Sequence, residues 1–375
     1  MKKHYDVIVV GGGIAGVSAA LSLARSNVSV LLVEKQCILG GLATSGLINW
    51  YEPLCNGKGT QLIYGISEEL LKLAAEYNAT LDSNWINTGK GENRYATFFN
   101  HNIFAVALTC LLVKNNVDIT FDTLFTDVVI ENQKIKAIKL HTIEQEEEIS
   151  CSYVIDATGS AKVFETCKLP LRNGENYLSF YIHRAGKPND DLYLRVWDIY
   201  GANMSGHNHP QGFPLLSGAT NQDINDYIIK SHKVFYDAIK KDNRGLDVTS
   251  IPHMPQFRMI RSIIGERTLT TNDKNKDIFD SVGVFGYFLE PGNYFEIPYG
   301  SLYNKSIKNL YAAGRIISAI DQGWDAIRVI PVASLSGEIV ATAITLLKEN
   351  NLTNNELGIV KLQDKLIEKN IKIHI

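Results

Sequence analysis

A glycine-rich turn close to the N-terminus constrains this chain more than any other feature of its sequence. The apolar run Tyr5–Val10 precedes the turn and is rich in valine and isoleucine, which is typical of a parallel strand buried on both faces. The turn, Gly11–Gly16, fits the pattern G-x-G-x-x-G, and Val17–Ala24 continues with apolar residues at helical spacing. A second apolar run, Val28–Val33, ends at Glu34. Strand, glycine turn, helix and strand in this order predict a βαβ unit.

The glycine turn has the chemistry of a dinucleotide-binding site. Gly11 permits the tight turn, Gly13 lets the backbone approach a pyrophosphate, and Gly16 allows the helix to pack closely against the strand. The N–H groups of the first helical turn, at Ile14 and Ala15, lack partners within the helix and would bind the diphosphate. The pattern alone is a weak signal, but the strand before it and the helix after it provide the context that such a site requires.

Glu34 stands where a ribose-binding acid is expected. It follows Gly16 by 18 residues, close to the interval of about 20 residues that is usual in dinucleotide sites. Its carboxylate would accept hydrogen bonds from both ribose hydroxyls of an adenosine and would repel a 2′-phosphate. The pattern therefore predicts a dinucleotide site and leaves FAD and NAD as alternatives.

The sequence beyond Glu34 resembles a longer fingerprint. Five residues separate Glu34 from Gly40 and Gly41, and this continuation is similar to that of FAD-binding proteins of the glutathione-reductase structural superfamily. Two later segments, Val154–Gly159 and Asn309–Arg315, resemble the second and third strand turns of that superfamily. The resemblance implies FAD as the cofactor.

Further segments resemble the FAD-dependent oxidoreductase family of bacterial proteins. These segments are Gly40–Gly46, Arg261–Glu266, Phe295–Leu302 and Ala313–Gly337. The similarity covers nearly the whole chain, although residues 170–250 contribute little to it. One departure lies at residues 337–341, where the family commonly has a Gly-x-Ala-Ala-Gly-like helix and this chain has bulkier residues. The family is defined by FAD binding and its substrates are largely unassigned, so the reaction stays open.

The resemblance implies an α/β fold with a divided FAD-binding domain. We expect a glutathione-reductase-type, Rossmann-like domain, with a parallel sheet and a β-meander, and an inserted mixed α+β substrate domain. By their own sequence pattern, Asp118–Phe121, Thr126–Ile130 and Ile135–Leu140 are three predicted strands of a β-meander or a small antiparallel sheet. The predicted boundaries are 1–48, 101–168 and 302–350 for the FAD-binding domain, 49–100 and 169–301 for the substrate domain, and 351–375 for a C-terminal helical tail.

The predicted cofactor-binding residues lie in the turns after the strands and at the start of the last long helix. They are Gly11, Gly13, Ile14, Ala15, Gly16, Glu34, Lys35, Gly40, Gly41, Leu42, Thr44, Phe125, Ala157, Thr158, Gly159, Gly314, Arg315, Arg328, Val329 and Ile330. By resemblance, Arg315 lies near the diphosphate, the backbone of Phe125 contacts adenine, and the residues beside Pro331 line the flavin ring. Proline is well suited to a first helical turn, and a helix N-terminus there would stabilise negative charge on a reduced flavin.

The sequence assigns no catalytic acid or base. Trp324 and Asp325 lie where family members approach the reactive side of the flavin, and Arg328 is a third candidate. We expect Trp324 to be a packing wall, whereas Asp325 is either the partner of an arginine or a proton acceptor. Arg258 and Arg261 would clamp a carboxylate if their segment were helical, and a structural ion pair is the alternative.

Composition excludes several other classes. Lys and Arg number 37 against 40 Asp and Glu, which argues against a nucleic-acid partner. The five cysteines form no CxxC pair and do not have zinc-site spacing, so no metal site is predicted. The short apolar run at the N-terminus passes directly into the glycine turn, and we expect a cytoplasmic protein. Polar residues interrupt Val329–Leu347, so we predict a buried helix and no transmembrane segment.

Three functions remain open at this level. The first is an enzyme with non-covalent FAD that transfers hydride between a small organic substrate and the flavin. No second strand, G-x-G-x-x-G and helix follow residue 160, so we expect an external electron acceptor or donor. The second is a flavin-dependent reductase of a C=C bond in a prenyl or lipid substrate, and the third is a non-catalytic FAD-binding protein. Oligomeric state is left open.

Overall fold

The computed structural model describes residues 1–76, 96–185, 196–203, 206–242 and 247–375. The strands are β1 (His4–Val10), β2 (Val30–Val33), β3 (Trp50–Tyr51), β4 (Thr97–Phe98), β5 (Asp118–Thr120), β6 (Leu124–Glu131), β7 (Lys134–His141), β8 (Glu146–Asp156), β9 (Leu171–Asn173), β10 (Ser179–Arg184), β11 (Val196–Gly201), β12 (Val248–Ser250), β13 (Arg261–Ile263), β14 (Ser281–Gly286), β15 (Tyr294–Pro298) and β16 (Leu310–Ala312). The helices are α1 (Ile14–Arg25), α2 (Gly65–Ala75), α3 (His101–Lys114), α4 (Lys162–Thr166), α5 (Asn221–Asp242), α6 (Asp321–Ile327), α7 (Ile330–Asn350) and α8 (Ile359–Glu368).

A parallel sheet forms the centre of the fold. Its parallel strands follow the order β5-β2-β1-β8-β16, and β7 and β6 extend it in antiparallel fashion from β8. In the register, Val9 of β1 lies between Leu32 of β2 and Ile155 of β8. All three side chains are fully buried, because helices and loops cover both faces of such a sheet. The prediction of an α/β fold with a parallel, Rossmann-like core is confirmed.

One strand of the predicted meander belongs elsewhere. The sequence placed Asp118–Phe121 first in the meander, and this prediction is wrong, because β5 pairs in parallel with β2 at its edge. The strand follows helix α3, and a helix is the usual crossover before a strand that joins a sheet in parallel. The meander is instead β6-β7-β8. Its first turn places Asn132 and Gln133 at φ 52° and 62°, as a tight hairpin requires.

Helices α1 and α7 pack against each other in the same direction. A Cβ at Gly337 of α7 would lie 2.2 Å from the carbonyl oxygen of Ala15, so this contact near both helix starts requires glycine. Near the other end of α7, Lys348 Nζ donates to Asp6 Oδ2 at 2.9 Å, at the beginning of β1. Both helices therefore begin at the carboxyl edge of the parallel sheet.

A second hydrophobic core lies in the part of the chain predicted as substrate domain. Sheet β11-β10-β12 and helix α5 surround it. Its buried residues are Leu178, Phe180, Ile182, Leu216, Tyr227 and Phe257. Ile263, Phe285 and Ile297, from β13–β15, belong to the first core instead. The domain boundaries themselves stay a prediction.

Helix α7 resembles a membrane span in length and composition. Among the described residues it is the one helix long and apolar enough to cross a bilayer, and 89% of its most apolar window is buried inside the fold. The core helix of a globular domain has the same properties, so the observation is weak evidence for a span. The absence of a transmembrane segment stays a prediction.

Candidate functional site

Three turns converge at the carboxyl edge of the sheet, where β1, β8 and β16 end side by side. A Cβ at Gly11, whose φ is +107°, would lie 2.5 Å from the carbonyl oxygen of Ala157. The N–H of Ala313 donates to the carbonyl of Asp156 at 3.0 Å. A Cβ at Gly314 would lie 3.0 Å from Cβ of Ala15. The glycine turn, the second turn and the third turn thus form one continuous backbone surface.

The glycine turn leaves open space for a side chain at Gly13 and none at Gly16. A Cβ at Gly13 would meet nothing within 4 Å, whereas a Cβ at Gly16 would lie 1.9 Å from the carbonyl oxygen of Gly11. Helix α1 begins at Ile14 without a side-chain cap and without an acid in its first turn. Its free N–H groups therefore face a ligand or solvent, and they suit an anion. This cradle fits the diphosphate of a dinucleotide.

A second glycine pair lies against the first turn. The N–H of Gly40 donates to the carbonyl of Gly12 at 2.8 Å, and a Cβ at Gly41 would lie 3.3 Å from Cα of Gly13. Thr44, which is 1% exposed, donates from Oγ1 to the carbonyl of Leu39 at 2.5 Å. The side chain of Thr44 therefore fixes the loop through the backbone of Leu39, and the partly buried Leu42 lies within that loop.

Glu34 lies under the glycine turn and is 7% exposed. Its Oε2 accepts from the N–H of Gly12 at 2.7 Å, and its Oε1 accepts from the N–H of Gln36 at 2.8 Å. Burial raises the pKa of this carboxyl, while the two backbone donors and the charge of the exposed Lys35 oppose that shift. Each carboxylate oxygen can accept a further hydrogen bond, which is what two ribose hydroxyls need.

The loop before β6 runs beside Glu34. The N–H of Thr123 donates to the carbonyl of Glu34 at 3.1 Å, and the N–H of Asp122 donates to that of Gln36 at 3.3 Å. Phe125 follows two residues later and is partly buried. This position next to Glu34 is compatible with the predicted contact to adenine.

Sequence reasoning missed Asp156, the last residue of β8. This fully buried carboxylate accepts from N–H and Oγ1 of Thr158 and from the N–H of Val163 at 2.8 Å. It therefore shapes the second turn and caps α4. The signal was present, since an aspartate that ends an apolar strand before Ala157–Gly159 is typical of such a turn.

The predicted flavin-side residues form a connected group. Arg315 donates from Nε to the carbonyl of Gly159 at 2.8 Å, and its own carbonyl accepts from Trp324 Nε1 at 2.8 Å. Trp324 is 6% exposed, which is compatible with the expected packing wall. Arg328 Nε lies 2.6 Å from Asp325 Oδ1, which supports the arginine-partner alternative for Asp325.

The start of α7 adjoins this group. Val329 is the N-cap residue and is 8% exposed, Ile330 begins the helix, and Pro331 follows in the first turn. Among the residues that the structure describes, no side chain caps this end, and no acid lies in its first turn. The positive end of the helix dipole is therefore uncompensated, as a site for negative charge requires.

Two predicted alternatives for Arg258 and Arg261 are now distinguished. The segment is not helical, since Arg258 lies between strands and Arg261 begins β13. Arg261 Nη2 forms an ion pair with Glu165 Oε1 at 2.7 Å. The carboxylate clamp by both residues is therefore wrong, and Arg261 has the structural role.

Three residues, of which His374 is near the C-terminus, have the chemistry of metal ligands. Potential ligand atoms of Asp277, Glu296 and His374 lie within 4.8 Å of one another. His374 Nδ1 is already 2.8 Å from Glu296 Oε1, and exposed acids commonly cluster without an ion. The expectation of no metal site stays a prediction.

The fold and the site together define a dinucleotide-binding α/β protein whose cradle and acid suit an adenosine diphosphate moiety. The model of the FAD dependent oxidoreductase family matches residues 6–181 and 178–366. The chain belongs to this family. Membership in the family assigns FAD as the cofactor, and a family of oxidoreductases disfavours the alternative of a non-catalytic flavin binder.

The individual relatives described next share less than 30% sequence identity with the chain. Digeranylgeranylglycerophospholipid reductase 2 of Methanococcoides burtonii is 29% identical over 170 residues, which is 42% of this chain and 39% of the reductase. A soluble pyridine nucleotide transhydrogenase of Marinomonas sp. is 24% identical over 86% of this chain and 69% of its own length. Among solved structures, a geranylgeranyl bacteriochlorophyll reductase-like protein from Thermoplasma acidophilum has a TM-score of 0.48 at 15% identity, covering 98% of this chain and 84% of that one.

Proposed function

We propose that this chain holds FAD non-covalently in a glutathione-reductase-type arrangement and transfers hydride between a small organic substrate and the flavin. The observation that carries the proposal is the cradle at Gly13, open to a ligand, with the buried Glu34 beneath it. The sheet order β5-β2-β1-β8-β16 with its β6-β7-β8 meander supports the glutathione-reductase-type subclass.

Each part of the site has a distinct task in this proposal. Bound FAD supplies the hydride chemistry, at N5 of its ring. The N–H groups at the start of α1 bind the diphosphate, and Glu34 accepts hydrogen bonds from the ribose. The uncapped start of α7 stabilises negative charge on the ring. Asp325 orients Arg328, and Trp324 excludes water from one side.

A flavin-dependent reductase of a prenyl or lipid C=C bond is the second candidate. The 29% identity to digeranylgeranylglycerophospholipid reductase 2 favours it. That similarity spans 39% of the reductase, which does not fix whether the substrate is oxidised or reduced. The direction of hydride transfer is therefore part of the proposal. We also propose an external electron partner, because the sequence contains one strand, G-x-G-x-x-G and helix unit. A cytoplasmic location is likewise part of the proposal.

The absorption spectrum of the purified protein, before and after adding FAD, tests the cofactor. We expect flavin bands that stay with the protein through gel filtration, and their absence even after FAD addition would overturn the proposal. Anaerobic photoreduction followed by timed reoxidation then tests the chemistry. Reoxidation that a quinone, a protein carrier or oxygen accelerates is expected, and a reduced flavin inert toward all of them would contradict hydride transfer.

A further inference from the structure

Arg258 lies on the segment that joins the two hydrophobic cores. Its backbone N–H donates to Asn176 Oδ1 at 2.9 Å, which holds the segment to the strands of the second core. Its neighbour Phe257 accepts at its carbonyl a hydrogen bond of 2.6 Å from Arg315 Nη1. The segment therefore passes directly beside the third turn of the candidate cofactor site.

A second contact fixes the same segment to the glycine loop. Gln256, which is 3% exposed, donates from Nε2 to the carbonyl of Gly46 at 2.7 Å. Its Oε1 accepts from the N–H of Tyr181 at 2.8 Å. Arg258 is thus positioned between the turns of the candidate cofactor site and the sheet of the second core.

Within the described parts of the chain, no carboxylate pairs with Arg258. Its side chain donates to the backbone carbonyl of Gln256, and its guanidinium carbon lies 5.4 Å from the ring centroid of Tyr181. Arg261 and Arg328, by contrast, each have an acidic partner. A guanidinium has five N–H donors, so Arg258 keeps most of its donors for a ligand.

Three neighbouring guanidinium groups, those of Arg258, Arg315 and Arg328, favour an anion at this site. Burial and the charge of Arg328 lower the pKa of Arg258 to about 10. Burial and the charge of Arg258 lower the pKa of Arg315 to about 10 as well. Asp325 is the one carboxylate paired with these three cations among the described residues. A partly buried cation without an acidic partner is costly, and an anionic ligand would relieve that cost.

We propose that Arg258 binds an anionic group of the substrate, a carboxylate or a phosphate, and so selects anionic substrates for the flavin. The planar fork of the guanidinium matches either group with two parallel hydrogen bonds. The ring of Tyr181 forms a wall behind the guanidinium. The inference rests on the proposed function, since it places the substrate between Arg258 and the flavin.

The experiment titrates the FAD-loaded protein with benzoate, phenyl phosphate and neutral benzyl alcohol, and follows the flavin absorption spectrum. We expect a saturable change with at least one of the anions and none with the alcohol. Arg258→Gln should weaken anion binding about 10- to 100-fold, the loss typical of a charge-assisted contact. Arg258→Lys should retain part of it, and the matched control Arg261→Gln should bind within about threefold of the wild type. The FAD affinity of Arg258→Gln should stay within about threefold of the wild type.

Other results separate the possible failures. If Arg258→Gln loses FAD affinity as strongly as Glu34→Ala, then Arg258 serves the diphosphate of the cofactor and the proposal is overturned. A wild-type protein that binds FAD but shows no anion-dependent change overturns it too, while the proposed function survives. A protein that binds no FAD overturns both. If Arg258→Gln does not fold, an Arg258→Lys variant with unchanged affinity for both anions and FAD decides against the proposal.

Discussion

The carboxylate of Glu338, in α7, accepts a hydrogen bond at 3.0 Å from the backbone N–H of Ile66, at the start of α2. Helix α2 has no side-chain cap of its own, so Glu338 caps it from another helix. Gly65 has φ +63°, and a Cβ there would lie 2.8 Å from Glu338 Oε2. The buried carboxylate of Glu338 therefore holds α2 against α7.

Glu338 makes stability depend on pH. Burial raises its pKa from 4.5 to about 7, so the native state binds a proton that the unfolded state releases between these values. The stabilisation is complete below pH 4.5 and is lost as the pH rises through 7, by up to about 3 kcal/mol. Glu338→Gln keeps the acceptor and should remove this loss. Urea unfolding of both proteins at pH 5 and pH 8 measures it, and identical pH dependence would contradict the assignment.

His101 should act in the opposite direction. Its ring lies 4.8 Å from that of His183, and burial together with the charges of His183 and His253 lowers its pKa from 6.5 to about 4. The unfolded state binds more protons in this window, so stability falls as the pH drops from 6.5 to 4. The loss should be about 1–3 kcal/mol, reduced by partial solvent exposure.

His101→Phe keeps the ring contact and should be less sensitive to acid. Thermal unfolding at pH 7 and pH 4.5 compares it with the wild type. An equal drop in Tm for both proteins would assign the acid sensitivity to other groups.

Two glycine substitutions distinguish binding from folding. Gly13→Ala meets open space in the protein and should change the stability of the FAD-free form by less than about 1 kcal/mol. It should weaken FAD binding at least about tenfold, because its methyl group would occupy the approach to the diphosphate. Gly16→Ala would place Cβ 1.9 Å from the carbonyl oxygen of Gly11 and should destabilise the fold by about 1–3 kcal/mol.

Calorimetric unfolding of the FAD-free proteins, together with FAD titration by fluorescence, separates the two glycine effects. Normal FAD affinity in a well-folded Gly13→Ala protein would show that the diphosphate binds elsewhere.

Removal of the Glu34 carboxylate should weaken FAD binding about 10- to 100-fold, because two ribose hydroxyls lose their acceptors. Glu34→Gln keeps one acceptor oxygen and should lose less than Glu34→Ala. Asp127→Ala is a suitable control, since that carboxylate is 54% exposed and 4.0 Å from Lys139. Fluorescence titration with FAD gives the affinities of the three variants relative to the wild type. An unchanged affinity for Glu34→Ala would mean that the dinucleotide binds elsewhere on the protein.

Local patterns predicted the elements that build the cofactor site. The apolar run before Gly11 is β1, and the residues after Gly13 form α1, because burial on both faces and helical spacing are visible along the chain. Short-range patterns failed where the partner is distant in sequence. The composition of Asp118–Thr120 suits a strand in a meander as well as an edge strand of a parallel sheet. Only the pairing with β2 distinguishes the two positions.

Ionic partners were beyond prediction for the same reason. Arg258 and Arg261 are three residues apart and chemically identical, yet Arg261 reaches Glu165 and Arg258 pairs with no acid among the described residues. Which of two arginines keeps a counter-ion depends on the path of the backbone, and that path is set by Asn176 and Phe257.

The sequence by itself determined the glycine turn, the acid at residue 34 and the family, since each depends on residues close together or on a pattern along the whole chain. Only the tertiary structure decided how the three turns meet, why Glu338 is buried and which guanidinium stays available for an anion. These outcomes depend on contacts between residues tens to hundreds of positions apart, and their free energies are set by burial and charge in the folded state.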